Sequence, residues 1–350
     1  MIRDAIIALV KGESLSFEEM RQVFRDIFDH KTEASQVAAF LTALKMKGEN
    51  EEEIFAAATV IRERARPLKV RSSFVGIELQ DELVVDTCGT GGSGVSKFNI
   101  STAVAFVLAA SGAKIAKHGN RAMSSHCGSA DVLEAMGLAI DVEPLLMEKA
   151  IKQIGIGFLY APLYHPALKE VAALRREIGI RTIFNLLGPL CNPAGATHQL
   201  LGVYSKELVP VMANVLKKLG TQKALVVYGK DFKDEISLSG ETVVAFLHHK
   251  KIEKFKIFPA DFGLRKICVE DIKVKNAEES ARLVRAVLNG KKSPARDVVL
   301  AGASAGLYLL NKVKTFKEGV IAAAEIIDSG KANEKFIELK RFIDTHKKAA

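Results

Sequence analysis

Tryptophan is absent from this 350-residue chain, and aromatic residues make up only 7% of it. The hydrophobic core is therefore expected to consist mainly of leucine, isoleucine, valine and alanine. Cysteine is also scarce, and the four that occur show no CxxC spacing: Cys88, Cys127, Cys191 and Cys268. This argues against a disulfide framework and against a zinc site built on paired cysteines, and it favours free thiols in a reducing compartment.

Long hydrophobic segments are missing as well. The longest candidate, AVAFVLAASGA from Ala103, is shorter than the run of about 18 residues that a membrane-spanning helix needs. The first residues carry charges within their apolar stretch and lack the cleavage pattern of a signal peptide. We therefore expect a cytoplasmic globular protein, long enough for a main domain plus a smaller one.

The charge balance permits an anionic partner without requiring one. The chain has 50 basic and 41 acidic residues, a net charge of +9. The basic excess lies largely in the C-terminal third, in segments such as HHKKIEKFK and RFIDTHKK. Because no aromatic interleaving or groove-reading motif accompanies it, a solvated surface is favoured over a nucleic-acid-binding face.

The first 70 or so residues have the pattern of helices only. Ser16 and Glu19 form a capping box before an amphipathic segment, and Asn50 and Glu53 cap another. Between them, EASQVAAFLTALKMKG is typical of a helix that ends at its final glycine. These features predict a small helical domain over residues 1–70.

From about residue 74, short apolar runs alternate with helical segments. Strands are predicted at ELVVDT, KIAKHG, IGFLYA, HQLLGVY and KALVVYG. Such alternation predicts an α/β fold whose central sheet is mostly parallel and flanked by helices, with ETVVAFL and IEKFKIF as an antiparallel addition. We assign residues 74–350 to this large domain.

A glycine-rich loop follows the strand ELVVDT. Four glycines lie within CGTGGSG, residues 88–94, and a helix begins near residues 99–102. Glycines let several backbone N–H groups approach one anion, and a helix N-terminus adds its positive end. The loop therefore predicts a phosphate or pyrophosphate site, although it matches neither the P-loop nor the GxGxxG pattern. The alternative is a flexible strand-to-helix turn.

A second polar loop, KHGNRAMSSHCGSAD, follows the next predicted strand. Lys117, His118, Asn120 and Arg121 place cationic and hydrogen-bonding groups within five positions. Because neighbouring parallel strands end at one edge of a sheet, both loops are expected to border one ligand site. For His118 alone, a purely structural role is the alternative.

Two further segments carry charged groups of interest. In HPALKEVAALRREIG, Leu168, Ala172 and Arg175 share one helical face, and an arginine in line with apolar residues needs an anion such as a carboxylate. An internal salt bridge is the alternative. Asp234 and Glu235 follow the strand KALVVYG and could share Mg²⁺ with a phosphate, although adjacent acids are usually solvated surface.

The chain resembles the anthranilate phosphoribosyltransferase family in segments that share the family's order and spacing: GTGG…FNISTA, KHGNR, CGSADVLEAMG, HPALKEVAALRREIGIRTIFNLLGPLCNPA and DEISL. The resemblance implies transfer of the phosphoribosyl group of 5-phosphoribosyl 1-pyrophosphate (PRPP) to the amine of anthranilate in tryptophan biosynthesis, with Mg²⁺ as cofactor. It also implies a homodimer formed through the small domains, an active site between the domains, and helices from about residues 165–187 that pack onto the small domain.

The resemblance also implies roles for individual residues. Mg²⁺ would be held by Ser101, Asp234 and Glu235. Anthranilate would be received by Gly89, His118, Asn120 and Arg175, with His118 as a candidate proton acceptor. PRPP would contact a longer set: Gly89, Thr90, Gly91, Gly92, Ser93, Lys97, Asn99, Ile100, Ser101, Thr102, Lys117, His118, Gly119, Asn120, Arg121, Ala122, Met123, Ser124, Ser125 and Ser129.

Several positions depart from the family pattern. Ser93 replaces an acid, Lys97 stands where a small hydroxyl residue is common, and His126 and Cys127 replace lysine and serine. The first two changes make the glycine loop more positive, which favours a polyanion. Two alternatives stay open: a pyrimidine nucleoside phosphorylase of the same architecture, and a nucleic-acid-binding relative without enzymatic activity.

Overall fold

The computed structural model describes residues 1–70, 73–74, 77–78, 82–92, 94–122 and 127–347. The chain begins with helices, as predicted, and these are α1 (Ile2–Val10), α2 (Phe17–Phe28), α3 (Ala34–Lys47) and α4 (Glu51–Glu63).

Both predicted capping boxes are confirmed. The Ser16 hydroxyl accepts from the Glu19 amide at 3.4 Å, and the Glu19 carboxylate accepts from the Ser16 amide at 2.9 Å. Asn50 and Glu53 make the same reciprocal pair at the start of α4, with both bonds at 2.9 Å. Each box satisfies backbone donors that a helix start otherwise leaves free, so these residues fix where α2 and α4 begin.

The strands follow, and within the described ranges they are β1 (Ser73–Phe74), β2 (Ile77–Glu78), β3 (Val84–Gly89), β4 (Lys114–Gly119), β5 (Ile156–Tyr160), β6 (His198–Gly202), β7 (Lys223–Gly229), β8 (Thr242–His248) and β9 (Lys251–Ile257). The short antiparallel pair β1–β2 stands apart and was not predicted. The other seven form one sheet in the order β5-β4-β3-β6-β7-β8-β9. Its strands from β5 to β7 are parallel and β8 and β9 are antiparallel additions, so the predicted sheet is confirmed.

Helices fill the remaining connections: α5 (Ile100–Ala110), α6 (Ser129–Ala135), α7 (Pro144–Ile154), α8 (Ala161–Tyr164), α9 (Pro166–Glu170), α10 (Ala172–Ile178), α11 (Phe184–Leu187), α12 (Leu208–Lys218), α13 (Ala277–Leu288), α14 (Pro294–Leu309), α15 (Phe316–Asp328) and α16 (Lys331–Lys347). Short 3₁₀ turns occur at Gly188–Leu190, Pro259–Phe262 and Val269–Ile272. Within the described ranges, none of the helices combines the length and apolar character needed to cross a bilayer.

The sheet separates two hydrophobic clusters. On β7, Leu225 and Val227 belong to the cluster that holds α5 and α14, whereas Ala224 and Val226 belong to the one that holds α12 and the N-terminal helices. This alternation is the period of two that a strand covered on both faces requires. The N-terminal helices thus share a core with one face of the sheet. The division of the chain between residues 70 and 74 stays a prediction.

The helix expected from Pro166 onward is interrupted, which corrects the prediction of one continuous face. The backbone turns at Val171, whose amide donates to the Lys169 carbonyl, and its side chain is buried in the cluster of the N-terminal helices. Helix α9 ends before this turn and α10 begins after it. Leu168 and Arg175 nevertheless line the same cleft.

Candidate active site

A cleft of about 300 Å³ lies at the carboxyl ends of the parallel strands. Strand β3 ends at Gly89 and β4 at Gly119, and Gly202 at the end of β6 pairs with Gly89. The loops after β3 and β4 both line the cleft, together with residues from α8 to α11 and the acids after β7. The two polar loops therefore meet at one edge of the sheet, as their positions after neighbouring strands predicted.

The glycine loop has a backbone that other residues adopt only with strain. Gly91, Gly92 and Gly94 have φ values of +63°, +65° and +74°, in the left-handed region that glycine enters freely. Helix α5 begins at Ile100, shortly after the loop. The side chain of Asn99, the residue that precedes it, makes no capping hydrogen bond to the first turn. Gly89, Gly91 and Gly92 line the cleft, and backbone N–H groups placed in this way suit an anion. At the helix start, the Asn99 amide already donates to the Ser280 hydroxyl at 2.9 Å and the Ile100 amide to the Phe98 carbonyl at 2.8 Å.

Lys117 adds a fixed positive charge beneath this loop. Its Nζ donates to the Thr87 carbonyl at 2.6 Å and to the Ser101 hydroxyl at 3.2 Å. Burial lowers the pKa of Lys117, while the nearby Asp86 carboxylate acts to raise it. The ammonium is thus held between β3 and the first turn of α5, and its position does not depend on a ligand.

Asp86 ties the second loop to the chain around residue 190, and the sequence analysis missed it. Its carboxylate accepts from the His118 amide at 3.2 Å and from the Asn192 side-chain amide at 2.8 Å. Asn192 also donates to the Ala116 carbonyl at 2.7 Å. Burial raises the pKa of Asp86 to about 6, although Lys117 opposes the shift. The network fixes where the backbone of His118 enters the cleft.

Two histidines form part of the wall. His118 Nδ1 lies 3.1 Å from the Gly188 carbonyl, and because a carbonyl only accepts, Nδ1 must carry the proton in this contact. His118 Nε2 is left as a buried acceptor without a partner among the described residues. Burial, and then the neighbouring His165, lower the pKa of His118 to about 3, so the ring is neutral.

His165 was not among the predicted site residues. Its ring centroid lies 5.1 Å from that of His118, and it lines the cleft from the position just before α9. Neither of its nitrogens forms a regular hydrogen bond with the described residues, although the backbone of Cys191 approaches the ring. Burial lowers the pKa of His165 to about 4. The only sequence signal was its place before the proline that starts a helix.

Arg175 enters the cleft from α10. Its guanidinium lies over the Phe184 ring, 5.2 Å from the centroid. No carboxylate of the described residues comes within ion-pair distance of it, so the alternative of an internal salt bridge is not observed there. Partial burial lowers the pKa of Arg175.

The acid pair after β7 reaches the same cleft. Gly202 makes room for it, because a Cβ there would lie 1.8 Å from the Asp234 carbonyl oxygen. Glu235 is half-buried and accepts from the Ser101 amide. Burial, and then the charge of Asp234, raise the pKa of Glu235 to about 8. The pair is therefore largely withdrawn from water, and it is not the solvated surface that adjacent acids usually form.

Lys97 and Arg121, both predicted to contact PRPP, are engaged with protein carboxylates. Lys97 Nζ lies 2.7 Å from Asp234 Oδ1. The Arg121 guanidinium binds Glu134 at 2.5 and 2.8 Å and Asp131 at 3.2 Å, on helix α6. Arg121 thus anchors the second loop to α6, while its backbone still lines the cleft.

The other predicted residues divide into three groups. Gly119, Asn120, Ala122 and Ser129 line the cleft with Gly89, Thr90, Asn99 and Ser101. Ile100 and Thr102 are buried in α5 and do not line it. Four residues lie outside the described ranges: Ser93, Met123, Ser124 and Ser125.

Comparisons with known proteins agree with this architecture. The family model described as "Glycosyl transferase family, helical bundle domain" matches residues 3–65, and "Glycosyl transferase family, a/b domain" matches residues 81–333. Anthranilate phosphoribosyltransferase from Petrotoga mobilis is 50% identical over 334 residues, which cover 95% of this chain and 94% of that protein. This chain belongs to the anthranilate phosphoribosyltransferase family.

Solved members of the family have the same fold. The enzyme from Thermus thermophilus gives a TM-score of 0.88 at 40% identity, covering 97% of this chain and 99% of that one. The Saccharomyces cerevisiae enzyme, solved in complex with PRPP and Mg, gives 0.87 at 28% identity over 98% of both chains. The same yeast enzyme has been solved with 4-fluoroanthranilate. The resemblance and the fold class predicted from the sequence are confirmed, and neither alternative function is favoured.

Proposed function

We propose that this protein transfers the 5-phosphoribosyl group of PRPP to the amine of anthranilate, with release of pyrophosphate, in L-tryptophan biosynthesis. The observation that carries this assignment is a single cleft with groups suited to a diphosphate and a separate group suited to an aromatic carboxylate. Glycine-loop amides, Lys117 and an acid pair serve a metal-bound diphosphate. A half-buried Arg175, without an anion from the described residues, serves an aromatic carboxylate. A pyrimidine base has no carboxylate with which such an arginine could form an ion pair.

The donor is proposed to bind where the glycine loop meets the start of α5. All PRPP contacts predicted from the sequence are retained as proposals. Ile100 and Thr102 are buried and do not line the cleft. Thr102 would act through its backbone amide, whereas the Ile100 amide already donates to the Phe98 carbonyl at 2.8 Å. Arg121 would act through its backbone, since its guanidinium is held by α6.

Mg²⁺ is the proposed cofactor, held by Ser101, Asp234 and Glu235. The donor set supports this, because the Ser101 hydroxyl and the carboxylates of Asp234 and Glu235 line one cleft and supply the oxygen ligands that Mg²⁺ prefers. An ion held by these residues would share its remaining coordination positions with substrate phosphates. When bound, Mg²⁺ would neutralise charge on the diphosphate. The yeast relative in complex with PRPP and Mg supports this.

Bond making and breaking both occur at C1 of the ribose. The anthranilate nitrogen forms the new bond as the pyrophosphate oxygen leaves, so positive charge develops on the sugar and negative charge on the leaving group. Lys117 and the loop amides are already in place to stabilise that leaving charge. Donors fixed in this way are worth about 3 kcal/mol each in other enzymes.

The acceptor is proposed to be oriented by Arg175 and Asn120 and to give up a proton to His118. Arg175 would bind the carboxylate of anthranilate in bidentate fashion. His118 Nε2, an unprotonated acceptor, would accept from the amine and take its proton once the C–N bond has formed. An alkylated anilinium is itself acidic, so the weakly basic imidazole of His118 suffices.

We also propose a cytoplasmic homodimer formed through the N-terminal helices. Ile7 and Val10 on α1 are 55% and 73% exposed, and Met46 on α3 is 84% exposed. Exposed apolar side chains on two helices that contact each other favour burial against a partner protomer. Sedimentation of the wild-type protein and of a Val10→Glu variant would test the dimer, which should weaken in the variant.

An anthranilate fluorescence assay tests the reaction directly. We expect the fluorescence of anthranilate to fall only when PRPP and Mg²⁺ are both present, with pyrophosphate released in equal amount. Phosphorolysis of thymidine or uridine is the comparison reaction. If nucleoside is cleaved and anthranilate is not consumed, the proposed function is wrong.

A further inference from the structure

Lys97 is held in place by its backbone as well as by its side chain. Residue 97 forms a β-bridge with Lys273, and the preceding Ser96 hydroxyl donates to the Val274 carbonyl at 2.5 Å. The Val274 amide in turn donates to the Ser96 carbonyl at 3.1 Å. The side chain of Lys97 is only 6% exposed. The ammonium is therefore positioned before any ligand arrives.

That ammonium is directed at the acid pair. Lys97 Nζ donates to Asp234 Oδ1 at 2.7 Å and to the Phe232 carbonyl at 2.6 Å. The other oxygen, Asp234 Oδ2, faces Gly89 at the end of β3, 3.2 Å from where a Cβ on that glycine would lie. One oxygen of Asp234 is thus occupied by a protein cation, and the other still faces the phosphate-binding side.

Resting on the function proposed above, we infer that the Lys97 ammonium takes the place of a divalent cation at Asp234. The diphosphate site then takes one divalent ion per protomer, held by Glu235, Ser101 and Asp234 Oδ2. A second ion near Asp234 Oδ1 would meet a positive charge at hydrogen-bond distance from its own ligand, and like charges repel strongly where water is largely excluded.

The rest of the loop agrees with this substitution. The family pattern has an acid at position 93 and a small hydroxyl residue at position 97, whereas this chain has Ser93 and Lys97. Relative to that pattern, the loop loses one negative charge and gains one positive charge. This change of two positive charges equals the charge of the divalent ion that we infer Lys97 displaces. Lys97 would supply permanently the positive charge that a second ion at Asp234 would otherwise supply.

The inference is tested by counting bound Mn²⁺, used in place of Mg²⁺ because free and bound Mn²⁺ differ in electron paramagnetic resonance. The full-length protein is titrated with inorganic pyrophosphate present, as wild type, Lys97→Thr and Lys97→Met, with the exposed Lys230→Met as matched control. We expect one Mn²⁺ per protomer in the wild type and in Lys230→Met. Both Lys97 variants should bind one more, with an affinity at Asp234 at least about tenfold higher than in the wild type.

Thermal unfolding gives a readout that is independent of ion counting. Without divalent ions, Lys97→Met should melt below the wild type, since it leaves a largely buried carboxylate without a cation. Millimolar Mg²⁺ should raise its Tm more than it raises that of the wild type. Equal Mg²⁺ responses would contradict the substitution of ion by lysine.

The outcomes separate this inference from the proposed function. Two Mn²⁺ ions per wild-type protomer, or the same count in wild type and Lys97→Thr, would overturn the role of Lys97 and leave the proposed reaction intact. This first result needs only wild-type protein, so it does not depend on a variant folding. No bound Mn²⁺ in the wild type would overturn the proposed magnesium site itself, and the role of Lys97 with it.

Discussion

The imidazole rings of His118 and His165 lie 5.1 Å apart, both buried at the wall of one cleft. Each has a pKa below the physiological range, about 3 for His118 and about 4 for His165. Both rings are therefore neutral, and His118 Nε2 is free to accept a hydrogen bond. A neutral wall of this kind suits the uncharged amine of an aromatic substrate.

The two ring nitrogens of His118 can be tested separately. Asparagine can replace Nδ1 as the donor to the Gly188 carbonyl, whereas glutamine can place an acceptor where Nε2 lies. We expect His118→Asn to raise the KM for anthranilate by about tenfold, the cost of one hydrogen bond of roughly 1.4 kcal/mol, and also to lower kcat. His118→Gln should mainly lower kcat, since it orients the amine without taking its proton. Identical effects of the two substitutions in steady-state kinetics would contradict the role given to Nε2.

Gly202 is expected to be intolerant of any side chain. A Cβ there would lie 1.8 Å from the Asp234 carbonyl oxygen, so Gly202→Ala must displace the acid loop. We expect a loss of stability of about 3 kcal/mol, typical of severe overpacking, and a weaker response to Mg²⁺. Gly240→Ala is the control, because the nearest atom to its added Cβ would be at an ordinary 3.6 Å. Urea unfolding and Mg²⁺ dependence of activity would show the difference, and a Gly202→Ala protein that matches the control would refute the close approach.

Asn192 is expected to matter through the charge on Asp86. Asn192→Ala removes a donor from a buried carboxylate, which should cost about 2 kcal/mol of stability. The lost bond favours ionised Asp86, whose pKa is about 6, so the loss should be larger at pH 8 than at pH 5. Asn289→Ala, which removes an exposed hydrogen bond, is the control. Urea unfolding at both pH values tests this, and a loss that does not change with pH would speak against an ionised Asp86.

His198 should make the protein less stable in mild acid. Burial, and then Lys223, lower its pKa to about 4 in the folded state, whereas an unfolded histidine titrates near 6.5. Between pH 7 and pH 5 the unfolded chain gains a proton that the folded chain does not, so stability falls by about 2 kcal/mol for this residue. The free energy of unfolding of wild type minus that of His198→Asn should shrink by that amount. If the difference is the same at both pH values, His198 is not held neutral.

The sequence was sufficient to predict those site residues that lie at or near the end of a strand. Lys117, Arg175 and the acids Asp234 and Glu235 are polar residues placed directly after apolar runs, or in line with them, and the structure brings them to one cleft. The sheet and its antiparallel extension were equally predictable, because the strands carry continuous apolar runs separated by helices.

The sequence was insufficient to predict contacts between residues that are distant along the chain. Asp86 and Asn192 are 106 residues apart, and the sequence around either residue does not indicate that it contacts the other. His165 and His118 lie on different elements, and their rings come within 5.1 Å of each other only in the folded chain. The break at Val171 was missed because helical spacing continues through it, although its amide donates to the Lys169 carbonyl instead of extending the helix.

Arg175 is the residue on which the acceptor specificity depends. Its half-buried guanidinium lies over Phe184, without a protein carboxylate among the described residues, and it lines the cleft that the donor loops share. The adjacent Arg176 is exposed and does not line the cleft, so it is a matched control for loss of charge.

Steady-state kinetics of Arg175→Ala and Arg176→Ala, with each substrate varied in turn, is the most direct test. We predict that Arg175→Ala raises the KM for anthranilate by at least about tenfold, the worth of a charge-assisted hydrogen bond. The KM for PRPP should stay nearly unchanged, and Arg176→Ala should match the wild type in both. Equal rises in both Michaelis constants, or a similar effect of Arg176→Ala, would contradict an anthranilate carboxylate bound at Arg175.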